Sequence, residues 1–299
     1  MARSLRDRFV ASTMARETFV VAARVLGERG FRVMPLKGVL AQATLYDDPS
    51  ERELIDVDVL VAGASRAQAA KTLRAAGFLP RPRRMSHEQT FDHPDLPLPL
   101  DLHVRLFPHF RYRMPTLGLF ERAQLDRKIF GVPIWLPCPL DTAAHLVGHL
   151  ATPNAELRRI GKYARDLDLL ARRTPLEPSA TAAHLVRCGL ARAARYALPM
   201  LGDLSDGSFP AAVLGALPMD PMGATLASAA QAVVRAGPAG AMRGTVLCYL
   251  LSQSLPHAGL ALGAAGLDRA LSRSSHAAGI RAFGRASFMG HKRRPPERH

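Results

Sequence analysis

The chain has 299 residues, 48% of them apolar, 6% aromatic and 22% charged, with a formal net charge of +15. That apolar fraction excludes a disordered chain and supports a core built mainly of Ala, Leu and Val, which weights the fold toward helix. The basic surplus favours anionic partners such as nucleotides, nucleic acid or acidic peptides without choosing among them.

No uninterrupted apolar run is long enough to span a bilayer, and Asp7, Arg8, Arg16 and Glu17 interrupt any signal-like stretch. A cytoplasmic protein with no membrane partner is expected. Cys138, Cys188 and Cys248 are far apart and odd in number, and they form no CxxC pair. They suit a reducing compartment and read as small core residues, not as a disulfide framework or a zinc finger.

In chain order, residues 4–26 carry Phe9, Val10, Met14, Phe19, Val20, Ala23 and Leu26 at helical spacing, with Gly27 and Gly30 as the stop. Residues 31–36 read as a short strand. Lys37-Gly38 then opens a short helix over 39–46, closed by turn formers at 47–50. Residues 54–61 form the clearest strand. Ser65 is placed to cap a helix running to Ala76, with Gly77 beyond it. Residues 83–91 and 98–106 read as strands around a Pro-rich turn, and 116–125 as a helix. Residues 128–136 read as an edge strand or hairpin, because Pro133 argues against a central position. From Leu140 onward the pattern is helical, with helices predicted over 141–150, 155–172, 179–200 and 222–236. The boundary is placed near 137, after Pro137-Cys138-Pro139. The last residues, 290–299, are basic, nearly devoid of apolar side chains and expected to be disordered.

The chemistry concentrates in Arg52-Glu53-Leu54-Ile55-Asp56-Val57-Asp58-Val59-Leu60-Val61. Alternation puts Ile55, Val57, Val59 and Val61 on one face, to be buried, and Asp56 and Asp58 on the other. Two carboxylates so close repel each other, and Asp is depleted in strands; a divalent cation is the direct offset, and a solvent-facing strand with alternating acids is the plain alternative. Asp101 and His103 share one face of a second alternating strand. If that strand pairs beside the first, Asp101 completes a metal-binding triad, while His103 either supports the sheet or takes part directly. Lys37-Gly38 follows a strand and opens a helix, where glycine lets backbone approach phosphate and the helix N-terminus favours anions. Arg52 is a second phosphate candidate, with an ion pair to Glu51 or Asp48 as the alternative.

Pro35-Leu36-Lys37-Gly38, Leu45-Tyr46, Arg52, Asp56-Val57-Asp58-Val59-Leu60-Val61 and Asp101-Leu102-His103, in this order, resemble the uncharacterised nucleotidyltransferase family of the DNA polymerase beta superfamily. The motif-bearing part covers about residues 31–106, and weaker similarity continues through His145, His149 and Asp166. The resemblance implies an α+β nucleotidyltransferase fold: a small mixed sheet flanked by helices, then a mostly helical C-terminal domain. With the boundary near 137, the expected division is a core over 1–136 and an acceptor-binding domain over 137–289. The resemblance also implies Asp56, Asp58 and Asp101 as ligands of Mg2+ or Mn2+, and Lys37, Gly38, Arg52 and His103 around a nucleoside triphosphate. The reaction implied is nucleotidyl transfer with release of pyrophosphate. Relatives beside genes for modified peptides point to a peptide or small-molecule acceptor. Gly38-Val39 departs from the Gly-Gly or Gly-Ser of the wider superfamily, and the gap from Gly38 to Asp56 is longer than usual. One phosphate contact must then come from elsewhere, such as Lys37 or Arg52.

Two further pairs are candidates for an acceptor pocket. His145 and His149 share a helix face, but Leu146-Val147-Gly148 between them lacks the glutamate of a metalloprotease motif, which favours packing or pocket lining over zinc. Lys162 and Asp166 form an i,i+4 pair that either stabilises its helix or faces the cleft. A catalytically inactive nucleotide- or peptide-binding subunit of the same fold is the alternative reading. Nucleic-acid binding is the least favoured, since no helix-turn-helix, RNP or zinc motif is present and stacking aromatics are few.

Overall fold

The computed structural model describes residues 5–63, 65–84, 87–151, 157–201, 207–235, 249–252, 254, 256–264 and 266–267. Cys248, the tail 290–299 and most of the Ala/Gly-rich stretch from 259 to 284 lie outside the described residues.

Helix α1 (Leu5–Glu28) turns Phe19, Ala22, Ala23 and Leu26 inward, each almost fully buried. It ends in a Schellman turn: Phe31 N–H donates to Leu26 O at 3.2 Å and Gly30 N–H to Gly27 O at 2.9 Å. Gly30 adopts φ +81°, which a Cβ would oppose. Strand β1 (Arg32–Pro35), helix α2 (Lys37–Thr44), a 3-10 turn (Pro49–Glu51) and strand β2 (Val57–Ala62) follow. Helix α3 (Arg66–Ala75) starts on a capping box, in which the Ser65 hydroxyl accepts from Gln68 N–H and the Gln68 side chain from Ser65 N–H. Then come β3 (Leu79–Arg84), β4 (Glu88–His93), β5 (Leu96–His103), α4 (Thr116–Arg122), β6 (Gln124–Asp126) and β7 (Ile134–Leu136). The helical part comprises α5 (Pro139–Leu150), α6 (Leu157–Arg173), α7 (Pro178–Arg187), α8 (Ala191–Leu201), α9 (Ser208–Ala216) and α10 (Pro221–Arg235).

The main sheet has the order β1-β2-β5-β4-β3. Only β2 and β5 run parallel; the other neighbours are antiparallel. This is the expected α+β architecture, a small mixed sheet flanked by helices. β6 and β7 form a separate two-stranded ribbon.

Several elements differ from expectation for identifiable reasons. The strand predicted from 54 begins only at Val57, where pairing with β5 starts at Val57↔Leu100. Ile55 lies outside the sheet and is 51% exposed instead of sharing the buried face. Every residue of β2 is buried, so the face carrying Asp58 is not open. The strand expected over 83–91 is replaced by β4 and the unforeseen β3, whose Pro80 and Pro82 are tolerated because β3 is an edge strand. The single helix expected over 179–200 is two, broken at Gly189 with φ +71°.

Burial on both faces of β2 comes from two apolar clusters. Val57, Val59 and Val61 pack with Phe19, Leu26, Leu73, Phe91, Leu100 and Leu102. Leu60 and Ala62 pack on the other side with Leu106, Phe107, Leu146, Val147, Leu167 and Tyr196. The helical half therefore roofs the sheet face from which Asp58 projects. Among the described residues no helix is long and apolar enough to cross a membrane.

Leu60 is fully buried. Leu60→Ala should lower unfolding free energy by about 2–5 kcal/mol, and Ile55→Ala by less than about 1 kcal/mol. Chemical denaturation checks both; equal losses would contradict the burial of the Asp58 face.

Candidate functional site

The site is built where β1 delivers the chain into α2. Lys37, the first residue of α2, has φ +49°, a left-handed conformation that a long side chain rarely adopts. Its ammonium reaches Asp58 Oδ1 at 2.6 Å. His103 Nε2 donates to the same oxygen at 2.9 Å. Parallel register sets Asp58 beside Asp101 and Leu60 beside His103, so Asp58, Asp101 and His103 project from one sheet face.

Asp58 is 3% exposed and His103 1%. Burial alone would raise the Asp58 pKa, but the Lys37 charge and the His103 hydrogen bond outweigh it and hold the carboxyl well below its usual range. Burial likewise opposes the charge on Lys37, and Asp58 reverses that, raising the ammonium above its ordinary value. Glu88, opposite His103 on β4, places Oε2 3.6 Å from His103 Nε2 and 3.4 Å from His87 Nε2. Burial, with the neighbouring His103 next, pushes His87 down to about 3.

Asp101 Oδ1 is buried and has no hydrogen-bond partner among the described residues. Asp56 lies in the bend before β2, half-buried. Among the described residues, two sets of three His, Cys, Asp or Glu bring ligand atoms within 4.8 Å of one another: His87, Glu88 and His103, and Asp141, His184 and Cys188. Asp56, Asp58 and Asp101 are not such a set.

Asp56 and Asp58 meet Lys37, Gly38, Arg52, His149, Lys162 and Tyr163 in a cleft of about 540 Å³, counting its solvent-open space. Gly38 has a packing reason of its own, since a Cβ there would meet Leu54 Cδ2 at 2.0 Å. Arg52 pairs with neither Glu51 nor Asp48. Its Nε lies 2.9 and 3.0 Å from the two Asp166 oxygens, and Nη2 donates to Oδ2 at 2.9 Å. Nη1 donates to Glu53 O at 3.0 Å, and Tyr46 Oη adds a 2.8 Å bond to Asp166. The guanidinium thus lines the cleft with each of its three nitrogens donating, clamping the loop before β2 onto α6. The i,i+4 pair of Lys162 and Asp166 does not form. Lys162 Nζ reaches Glu53 O at 3.2 Å and Glu53 Oε2 at 3.4 Å, leaving it half-exposed on the cleft.

His145 and His149 stack on each other at 5.3 Å, and His149 stacks on Tyr163 at 5.5 Å. Both pack edge-on against Phe107. Gly148 between them makes room for that ring, because a Cβ would meet Phe107 Cζ at 2.4 Å. Burial, then the Lys37 charge, pushes His145 down to about 3 and His149 well below its usual value. Both are neutral packing groups at pH 7, and His149 also lines the cleft. Sequence reasoning met Tyr46 only as part of the family motif, with no role, and did not single out His87, Glu88 or Tyr163. Each acts through a partner on another element, which leaves no local pattern to find.

A mixed sheet with Asp58 and Asp101 in register on adjacent parallel strands, Asp58 lining a cleft beside a lysine-led helix, defines a protein of the nucleotidyltransferase fold. The chain belongs to the family described as uncharacterised nucleotidyltransferase, whose model matches residues 1–205. Among solved structures it is similar to an antigenic nucleotidyltransferase-like protein from Paracoccidioides brasiliensis, at 15% identity and TM-score 0.37, over 54% of this chain and 77% of that one. No curated protein matches the sequence.

Asp166→Ala strands the buried Arg52 guanidinium and should cost about 3–5 kcal/mol, while a double replacement of the pair by Met and Leu should recover much of it. A double-variant cycle by denaturation reads the coupling; additive losses would refute the clamp. The His145 pKa is lowered on folding, so its contribution is complete above about pH 6.5 and is lost as pH falls toward 3. Stability should decline through that window by up to about 1.4 kcal/mol per pH unit for this group, and His145→Gln should flatten the profile. An unchanged slope in His145→Gln would contradict a neutral buried histidine.

Proposed function

We propose that the protein transfers a nucleotidyl group from a nucleoside triphosphate to a peptide or small-molecule acceptor, using Mg2+ or Mn2+ held by Asp58, Asp101 and Asp56. The carrying observation is the in-register Asp58–Asp101 pair, with Asp101 Oδ1 buried and unpartnered among the described residues. A buried carboxylate oxygen with no donor is costly, and a hard cation is the partner that suits an all-carboxylate set. When bound, the metal supplies charge neutralisation for the triphosphate and lowers the acidity barrier of the acceptor oxygen.

The chain's own residues supply position. Asp58 would hold the cation once the Lys37 ammonium turns from it to phosphate, a movement of one flexible side chain across the cleft it already lines. The N–H groups of the first turn of α2 face the same anion. Lys162 adds a second positive charge from the opposite wall. His103 keeps Asp58 oriented from below, and the Arg52–Asp166 clamp keeps the cleft wall in place. Asp101 accepts the acceptor hydroxyl proton as that oxygen bonds to the α-phosphorus and the bond to the departing pyrophosphate breaks. Such chemistry depends mainly on positioning and charge.

A second reading is favoured by one observation. Asp58 Oδ1 already carries both Lys37 and His103. A protein that keeps this arrangement would bind nucleotide or peptide without turning it over.

Asp58→Asn and Asp101→Asn should each lower transfer by at least about a hundredfold, with mass spectrometry of acceptors incubated with each triphosphate and Mg2+ as the readout. Circular dichroism should show the fold of Asp101→Asn intact, while Asp58→Asn also loses stability because it leaves the Lys37 ammonium unpaired. Wild-type activity in both variants would eliminate the mechanism. Triphosphate binding by calorimetry with no product on any acceptor would establish the second reading.

A further inference from the structure

The second cluster of ligand atoms lies apart from the cleft. Cys138 precedes α5 as its N-cap and Asp141 sits in its first turn. His184 lies in the last turn of α7 and Cys188 is its C-cap. Two short spacings, Cys-x-x-Asp and His-x-x-x-Cys, therefore meet where the start of α5 packs against the end of α7. Asp141 Oδ1 is 2.9 Å from His184 Nε2, Asp141 Oδ2 is 3.1 Å from Cys138 Sγ, and His184 Nε2 is 3.5 Å from Cys188 Sγ. Asp141, His184 and Cys188 are all buried. Tetrahedral zinc, with bonds of about 2.0–2.3 Å, sets its ligands roughly 3.3–3.8 Å apart. Asp141, His184 and Cys188, whose ligand atoms all lie within 4.8 Å of one another, approach that spacing, and Cys138 Sγ joins them at the second Asp141 oxygen.

We propose that these four residues form a structural zinc site, with Asp141, His184 and Cys188 as three ligands and Cys138 as the fourth. Two thiolates and an imidazole select a borderline-soft ion over Mg2+, so the site is chemically distinct from the aspartates of the cleft. It stands whether or not the nucleotidyl-transfer reading holds.

Arg122 completes the charge balance. Its Nε and Nη2 each bond one Asp141 oxygen at 2.9 Å. Two thiolates, one carboxylate and Zn2+ sum to a single negative charge, which the guanidinium cancels. Each carboxylate oxygen has a further lone pair, now used by the Cys138 thiol or the His184 ring, and there the ion enters. On binding, the two thiol protons leave to solvent and the His184 proton moves from Nε2 to Nδ1. Arg187, an exposed side chain 3.2 Å from Nδ1, swings away. A surface cleft lined by Arg122, Pro137, Cys138 and Thr142 gives the ion its route. The ion would staple the junction at Pro137–Pro139 to α7.

The test uses the full chain, dialysed against metal-free buffer, then titrated with Zn2+ or with Co2+ as a spectroscopic probe. About one zinc per chain is expected, together with thiolate-to-cobalt charge transfer and intense tetrahedral d–d absorption. Cys188→Ser should lower zinc affinity at least tenfold and diminish the charge-transfer band. Loss of the band in Cys138→Ser/Cys188→Ser should be complete. A wild-type chain that shows no such band on saturation with Co2+ overturns the proposal, and this arm needs no variant to fold. An undiminished band in the double variant overturns it equally.

Discussion

The buried ion pair between Lys37 and Asp58 is the constraint around which the rest is arranged. A carboxylate in the middle of a sheet, 3% exposed, carries a desolvation penalty of several kcal/mol unless charge and hydrogen bonds offset it. Lys37 and His103 supply that offset from two other elements. To reach Asp58, Lys37 adopts a left-handed backbone conformation at the start of α2, so backbone strain and charge pairing occur at one residue. The site is thereby preorganised, and the local cost is balanced by the packing of β1 and β2.

The roof over this pair comes from residues far away in sequence. α5 and α6 bring Leu146, Val147 and Leu167 against Leu60, and the same helices bring His149, Lys162 and Tyr163 to the cleft. The Arg52–Asp166 clamp links the loop before β2 to α6. Apolar burial and ionic pairing thus act on the same joint. One holds the two halves together, and the other sets the cleft wall to within hydrogen-bond distance.

Much of this was legible beforehand. The Lys37-Gly38 helix start, the β2 core of Val57, Val59 and Val61 and the helix cap at Ser65 all rest on local signals, whereas the pairing of the Asp101 strand beside β2 was only a condition of the triad. Period-two alternation, a cap residue and a glycine stop each act within a few residues, so the sequence displays them directly. Ile55 and the β3 strand were misread for a related reason. A strand's end is set by where its neighbour stops, and prolines are acceptable only once the strand is known to be at an edge.

The sequence by itself determined the α+β order of elements, the buried face of Val57, Val59 and Val61, and the common face of Asp101 and His103 within their own strand. Tertiary structure alone decided that the Asp58 face is covered, that Lys37 neutralises Asp58, that Arg52 is committed to Asp166, and that Cys138 and Cys188 come near the same carboxylate. Those outcomes depend on contacts between residues tens of positions apart, where desolvation and long-range packing set the charge partners and no periodicity records the choice.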